Sequence, residues 1–374
     1  MTYVTQLWSK LIQSHGEALD ITKAFDQLWH AALLSKLPSY GLPEKLCRWV
    51  ADFISGRKIS VVIDGFSSSS HNVNAGFPQG SVLAPTLFLL HINDLLSCTI
   101  NPIHSFADDS TLHAGIQSDK PISAAELEKR RLATTSSLTR DLEAITAWGR
   151  NNLVQFNASK TQYCTLTNKK RPSAHHSFRL VGVQITEDLI WHEHISSIAA
   201  AAGKKQGYLF RAKKYFSPHD LLTLYKAQIK PSLEYCSHIW GAAAPTTLSM
   251  LDAVQRRAVR LIDDSSLTDS LGTLSHRRAV GDLALFYRYT NGLCSSELSS
   301  MMPPRDVPAR QTRLTSASHP NRVKLRTSRT SRYDRSFVPR VSRLWNKLRE
   351  EAFPSSTNLR QFKNRINKVS LGSS

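Results

Sequence analysis

Two adjacent carboxylates, Asp108 and Asp109, stand between two short runs that each read as strand, Ile103 to Phe106 and Ser110 to His113. That pattern predicts a β-hairpin with acids at its tip. Two negative charges this close repel inside a folded protein unless something positive lies beside them, and a divalent cation is the usual answer. An ordinary acidic turn in water is the competing reading, since Asp is favoured in turns for its own hydrogen bonding. Other stretches of the chain decide between the two.

A chain of 374 residues can bury a sizeable core, as one large domain or two to three units. Its longest apolar run, Val82 to Leu90, is broken by Pro85 and far too short to span a bilayer, so no membrane partner is expected. Met1 to Glu17 lacks the apolar centre of a secretory signal, which predicts an intracellular rather than secreted protein. The five cysteines (Cys47, Cys98, Cys164, Cys236, Cys294) are odd in number, far apart and without CxxC spacing, a pattern of reduced thiols. Forty-eight Lys and Arg against 29 Asp and Glu leave a formal charge of +19. Such a surplus points first to nucleic acid, with a merely soluble basic protein as the alternative.

Val4, Leu7, Leu11 and Ile12 recur at helical spacing, so a helix is expected there, broken at His15-Gly16-Glu17 and followed by a short strand ending at Leu19-Asp20-Ile21. A carboxylate at a strand end can join a metal site built by another hairpin, which makes Asp20 the candidate third acid. Leu46, Trp49, Val50 and Phe53 mark a helical stripe, and Ile59 to Gly65 reads as a strand ending in an Asp-Gly turn, with His71 to Ala75 returning. Gly76-Phe77-Pro78-Gln79-Gly80-Ser81 then forms a Gly-bearing loop before a helix holding Leu83, Leu87 and Leu90. Such a loop lets backbone approach a ligand closely and its N–H groups favour anions, although tight turns use the same residues.

Taken in order, Asp20-x-x-Lys23-Ala24-Phe25-Asp26, then Ala75 to Phe88, then Ile92-Asn93-Asp94 and Phe106-Ala107-Asp108-Asp109 resemble the reverse transcriptase of jockey-like non-LTR retrotransposons. The resemblance implies an α/β (α+β) fold: a polymerase palm with an antiparallel sheet and packed helices, a helical thumb and a basic C-terminal region. It implies an RNA-directed DNA polymerase in which Asp20, Asp108 and Asp109 bind magnesium (Mg2+), a hard cation suited to carboxylate oxygens and substrate phosphates. Phe25 matches the aromatic under the incoming sugar, with a core Phe as its alternative. Gln79, Gly80 and Ser81 match the loop that contacts the incoming nucleotide and template base. Partners so implied are an RNA template, a DNA primer or target DNA and deoxynucleoside triphosphates, met in the nucleus or cytoplasm. The family usually has Tyr where Phe106 stands. It also carries fingers strands, and commonly an endonuclease, ahead of the first acid, whereas 19 residues precede Asp20 here. The expectation is therefore an N-terminally truncated copy, with a strand before Asp20 that looks short. The rival function is a catalytically inactive remnant that binds nucleic acid through its basic thumb and tail.

Further on, Ala124 to Arg150 reads as a long helix with Leu138, Leu142, Ile145 and Trp148 on one face. Leu153 to Thr161 resembles the next palm motif, where Lys160 is either a proton donor to pyrophosphate or a solvated surface lysine. Leu180 to Ile185 resembles the turn that grips the primer end. His192 and His194 open a helix and are expected at the surface rather than on a metal. Lys204, Lys205, Arg211, Lys213 and Lys214 interleave with Tyr208, Phe210, Tyr215 and Phe216, a mixture suited to a thumb tracking phosphates. From Pro303 the chain turns to Pro, Ser, Thr and Arg, and an extended basic segment is expected, with Phe337, Leu344, Trp345, Leu348, Phe353 and Phe362 anchoring its last part. The domain division expected is 1–190 palm, 191–302 thumb-like and connecting region, and 303–374 basic segment.

Overall fold

The computed structural model describes residues 11–118, 122–167, 177–306, 319–325 and 331–369. They form two compact units: Leu11–Gly182 with Thr186–Asp188, and Val183–Ile185 with Leu189 onward. The strands of the first unit are β1 (Leu11–Leu19), β2 (Arg57–Ile59), β3 (Val62–Ile63), β4 (Phe66–Ser67), β5 (His71–Val73), β6 (Ile103–Phe106), β7 (Asp109–Gln117), β8 (Gln162–Thr167) and β9 (Ser177–Leu180). Its principal helices are α1 (His30–Lys36), α2 (Glu44–Ile54), α3 (Ala84–Ile92) and α4 (Ala124–Asn151).

A four-stranded sheet, ordered β6-β7-β1-β8 and antiparallel throughout, carries the first unit. Register sets its faces: Glu17 lies opposite Leu112 and Tyr163, and His15 opposite Ala114 and Thr165. Leu112 and Ala114 join Leu138, Ile145 and Trp148 of α4 in one core, together with Leu28, Leu33, Ile54, Leu87 and Phe88. Each fully buried Leu or Ile contributes about 1.5–3 kcal/mol relative to an exposed one, which is what holds the long helix on the sheet. Ser123 caps α4 by accepting from Glu126 N. In mid-helix the buried Asp141 accepts from the N–H groups of Ile100 (2.8 Å) and Asn101 (2.9 Å), fixing the chain just ahead of β6. Where α4 crosses β1, Arg131 Nε donates to Gln13 Oε1 (2.6 Å), so Gln13 presents its NH2 to His15 Nε2 at 3.1 Å. That nitrogen must accept, which leaves His15 Nδ1 carrying the proton beside the Tyr163 hydroxyl. Glu17 nearby is pushed above the usual carboxylate range by burial.

The expected helix around Leu11 and Ile12 is instead β1, nine residues long, so the strand before Asp20 is not short. Its partners β7 and β8 lie about a hundred and about 150 residues away in sequence, and pairing with both overrides the local apolar spacing. Val4 and Leu7 lie outside the described residues. The expected strand and its return form two short ladders, β2 with β5 and β3 with β4. Asp64 (φ 49°) and Gly65 (φ 82°) close the inner one, two left-handed residues as a tight hairpin turn requires. Ile59, Val62, Ile63 and Phe66 on these ladders are all exposed.

In the second unit the long elements are α5 (His192–Ala212), α6 (Pro218–Leu224), α7 (Pro245–Ile262), α8 (Leu274–Thr290), α9 (Phe337–Asn346) and α10 (Leu359–Asn367). Ser217 and Asp220 make a reciprocal capping box at the start of α6, with Pro218 at the first helical position. One core gathers Leu283, Phe286, Tyr287, Phe337, Val341, Trp345, Phe362 and Ile366. The expected anchors of the tail thus pack with α8, and Tyr287 stacks on Phe362 at 4.4 Å. Arg310, Arg313, Arg326 and Arg329 of the basic run lie outside the described residues. His194 is a correction: it is buried, not at the surface, and its Nδ1 accepts from Gln184 N (3.2 Å), while His192 is exposed.

Candidate active site

Asp20 follows directly on β1. The backbone there is tied to the segment ahead of β8, because Asn157 N donates to Asp20 O (2.8 Å) and Thr22 N to Gln155 O (2.9 Å). The β6–β7 hairpin closes on the pair Phe106–Asp109, which leaves Ala107 and Asp108 as its two-residue tip. Ala107 takes φ 54°, a left-handed conformation that costs a non-glycine residue roughly 1–2 kcal/mol. A hydrogen bond between the hydroxyls of Ser105 and Ser110 (2.6 Å) braces the strands below it.

Asp20 and Asp109 line one cavity of about 290 Å3, together with Lys160, Gln162 and Arg179. Asp108 does not line it but lies next to Asp109 in the turn. Asp109 is raised above its ordinary value, first by desolvation, then by repulsion from Asp108 and Asp20. Asp20 Oδ2 is buried without a hydrogen-bond partner; Lys160 Nζ stands 3.3 Å away, an ion pair by distance that lacks hydrogen-bond geometry. An orphaned carboxylate oxygen beside a second carboxyl that resists ionisation is a donor set suited to a hard divalent cation. Among the described residues no three His, Cys, Asp or Glu side chains are already gathered in ligand geometry, so the cavity supplies two acids and Asp108 stands beside them.

The second expected element, Gly76 to Ser81, is joined to the loop after Asp20. Gly76 N donates to Leu28 O (2.8 Å), Phe77 N to Phe25 O (2.9 Å), and Gln79 Nε2 to Asp26 Oδ1 (3.0 Å). Glycine is required at 76: φ is 68°, and a Cβ would come within 2.5 Å of Asp26 O. Gly80 (φ 86°) is exposed, and the Ser81 hydroxyl accepts from Leu83 N at 3.2 Å. Phe25 is half-buried with its ring 4.7 Å from that of Phe88, so one face of it belongs to the core. Arg179 is a residue that sequence reasoning missed; it enters the cavity wall from β9, and an isolated Arg in an unremarkable strand carries no signal of that placement.

In the second unit Lys204, Lys205, Tyr208, Phe210, Lys213, Lys214 and Tyr215 are all exposed, on α5 and the turn after it. Arg211 lies 4.8 Å over the Tyr208 ring and Lys214 4.8 Å over Tyr215, arrangements that hold rings and cations together at the surface. Among the described residues no helix is long and apolar enough to cross a membrane.

Residues 5–185 match the family described as reverse transcriptase (RNA-dependent DNA polymerase). The RNA-directed DNA polymerase from mobile element jockey of Drosophila melanogaster is 30% identical over 261 residues, covering 66% of this chain and 28% of that protein. Its counterpart from Drosophila funebris is 31% identical over 258 residues, covering 65% and 28%. The probable RNA-directed DNA polymerase from transposon X-element of Drosophila melanogaster is 27% identical over 265 residues. The chain therefore spans about 28% of the length of the curated relatives it matches. Among solved structures, telomerase from Candida albicans with a TWJ fragment of telomeric RNA aligns with 80% of this chain and 48% of that one, at a TM-score of 0.31 and 12% identity.

Proposed function

Since residues 5–185 belong to the reverse transcriptase family, of the kind carried by jockey-like non-LTR retrotransposons, we propose that this chain holds the palm of an RNA-directed DNA polymerase. The observation that carries the reading is the cavity lined by both Asp20 and Asp109, with Asp108 beside Asp109 and a buried Asp20 carboxylate oxygen that has no hydrogen bond. That family generally uses a divalent metal, and magnesium suits these donors. When bound, magnesium would neutralise charge on the triphosphate and ease ionisation of the primer 3′-hydroxyl.

The chain's own residues position and shield. Asp20, which faces Lys160 at 3.3 Å, would hold the cation together with Asp108 and Asp109. Lys160 and Arg179, which line the cavity, would receive the negative charge of the departing pyrophosphate. Gln79, Gly80 and Ser81 contact the incoming nucleotide and template base, and the free face of Phe25 stacks beneath its sugar. The exposed cations and rings of α5 follow the phosphates of the template and primer. The substrates are an RNA template, a DNA primer or target DNA and deoxynucleoside triphosphates, in the nucleus or cytoplasm.

The test is primer extension on an RNA template with magnesium present. Wild type should incorporate nucleotides, and Asp108→Asn and Asp20→Asn should each lose at least a hundredfold of that, roughly the weight of a main electrostatic contributor. Extension that survives both substitutions removes the site. A second reading, nucleic-acid binding without polymerisation, draws on the +19 charge and the basic, aromatic face of α5. It predicts salt-sensitive RNA binding with no incorporation by wild type.

A further inference from the structure

The loop from Gly76 to Ser81 is also gripped by a residue outside every motif. Arg57 opens β2 immediately after Gly56, whose φ of 63° turns the chain out of the α2 end. Its Nη2 donates to Gly76 O (2.5 Å) and Ala75 O (3.1 Å), and its Nε to Ile54 O (3.1 Å). His30, first residue of α1, reaches the same place, with Nε2 2.7 Å from Gly76 O. A carbonyl only accepts, so Nε2 carries the proton, and the 3.5 Å approach of Arg57 Nη2 to it is one donor beside another. No carboxylate among the described residues pairs with Arg57; its half-buried guanidinium spends its donors on backbone oxygens.

The geometry has a direction. On one side, the N–H groups of Gly76 and Phe77 bond to Leu28 O and Phe25 O of the loop after Asp20. On the other, the oxygens of Ala75 and Gly76 point at Arg57, so the peptide planes entering the loop are fixed from both sides and cannot rotate. Removing the guanidinium would free the Ala75 carbonyl and leave the Gly76 carbonyl to His30 alone, loosening the peptide planes whose N–H groups bond to Leu28 O and Phe25 O, and the orientation of Gln79 and Gly80 downstream would spread.

We propose that Arg57 is a positioning residue for the incoming nucleotide, which clamps the Ala75 and Gly76 carbonyls and thereby sets nucleotide affinity without touching the reacting atoms. The proposal rests on the polymerase reading and deepens it.

Its test has two arms. In primer extension at varied deoxynucleoside triphosphate, Arg57→Ala should raise the nucleotide KM roughly ten- to a hundredfold with a much smaller change in kcat, the weight of charge-assisted hydrogen bonds. Arg57→Lys should fall between, since one ammonium cannot span three carbonyls as a planar fork does. In hydrogen exchange, which needs no catalysis, Arg57→Ala should speed the Gly76 and Phe77 amides while those of Leu112 and Cys164 in the sheet stay as in wild type. If wild type itself extends no primer, the polymerase reading fails and exchange alone decides the clamp. An active Arg57→Ala enzyme with unchanged nucleotide KM overturns the proposal, as do unchanged exchange at Gly76 and Phe77 or a uniform rise that includes the sheet.

Discussion

At Asp109 the repulsion inside the cavity becomes a measurable quantity. Its carboxyl is raised above its ordinary value by desolvation, then by Asp108 and Asp20, so the folded chain holds that proton more tightly than the unfolded one. The stability this group gives is complete below the ordinary carboxylate value and is lost as pH rises through the raised one. Without divalent cation, Asp109→Asn should therefore raise the melting temperature at neutral pH and flatten the acid side of the pH profile. Magnesium or manganese should reverse the order, stabilising wild type by about 2.7 kcal/mol at a hundred times its Kd and the variant far less. Equal melting shifts in the two proteins would dissociate Asp109 from the cation. Gly76 offers a second check at this scale: Gly76→Ala forces a side chain into Asp26 O at a left-handed φ and should cost on the order of 1–3 kcal/mol in chemical denaturation.

Between elements, the ion pair from Arg340 on α9 to Asp282 on α8 (2.5 Å) matters more than its exposed counterparts. Asp282 is 1% exposed and its Oδ1 has no hydrogen bond, so Arg340→Ala leaves a buried carboxylate that loses its ion pair and keeps only the longer-range attraction of the buried Arg278. A loss of about 3–5 kcal/mol is expected by urea denaturation, against less than 1 kcal/mol for Arg48→Ala, whose partner Glu44 is exposed. What could be read from sequence at this scale was local. The Asp108-Asp109 hairpin, the Asp64-Gly65 turn and the α4 stripe all follow from residues within a few positions of each other. The strand β1 could not be read, because its identity comes from partners on β7 and β8 that no local window contains. Nor could Arg57, Asp141 or the buried His194, which bond to backbone atoms: a carbonyl or an N–H belongs to every residue and leaves no mark in the choice of side chains. The acids Asp20, Asp108 and Asp109 could be picked out as candidates by type and order, and the structure brings Asp20 and Asp109 to one cavity; the route by which Lys160 and Arg179 reach that cavity could not be read.

Over the whole molecule, each unit has its own core, and damage to one should be separable from the other. Ending the chain at Thr357 removes Phe362 and Ile366, both fully buried, and Phe362 alone is worth about 3–5 kcal/mol. Denaturation should then show the transition of the second unit lost or shifted far down while that of the sheet-bearing unit stays in place; a single transition moving as one would contradict this independence. The ladders that carry Ile59, Val62, Ile63 and Phe66 have a consequence of another kind. They display apolar side chains and open strand edges, the features through which chains join one another into aggregates. What keeps copies apart is mutual repulsion at +19, and dissolved ions screen it. Concentrated brine, the usual means of stripping bound polyanion during purification, would thus remove the colloidal protection of the very surface it exposes.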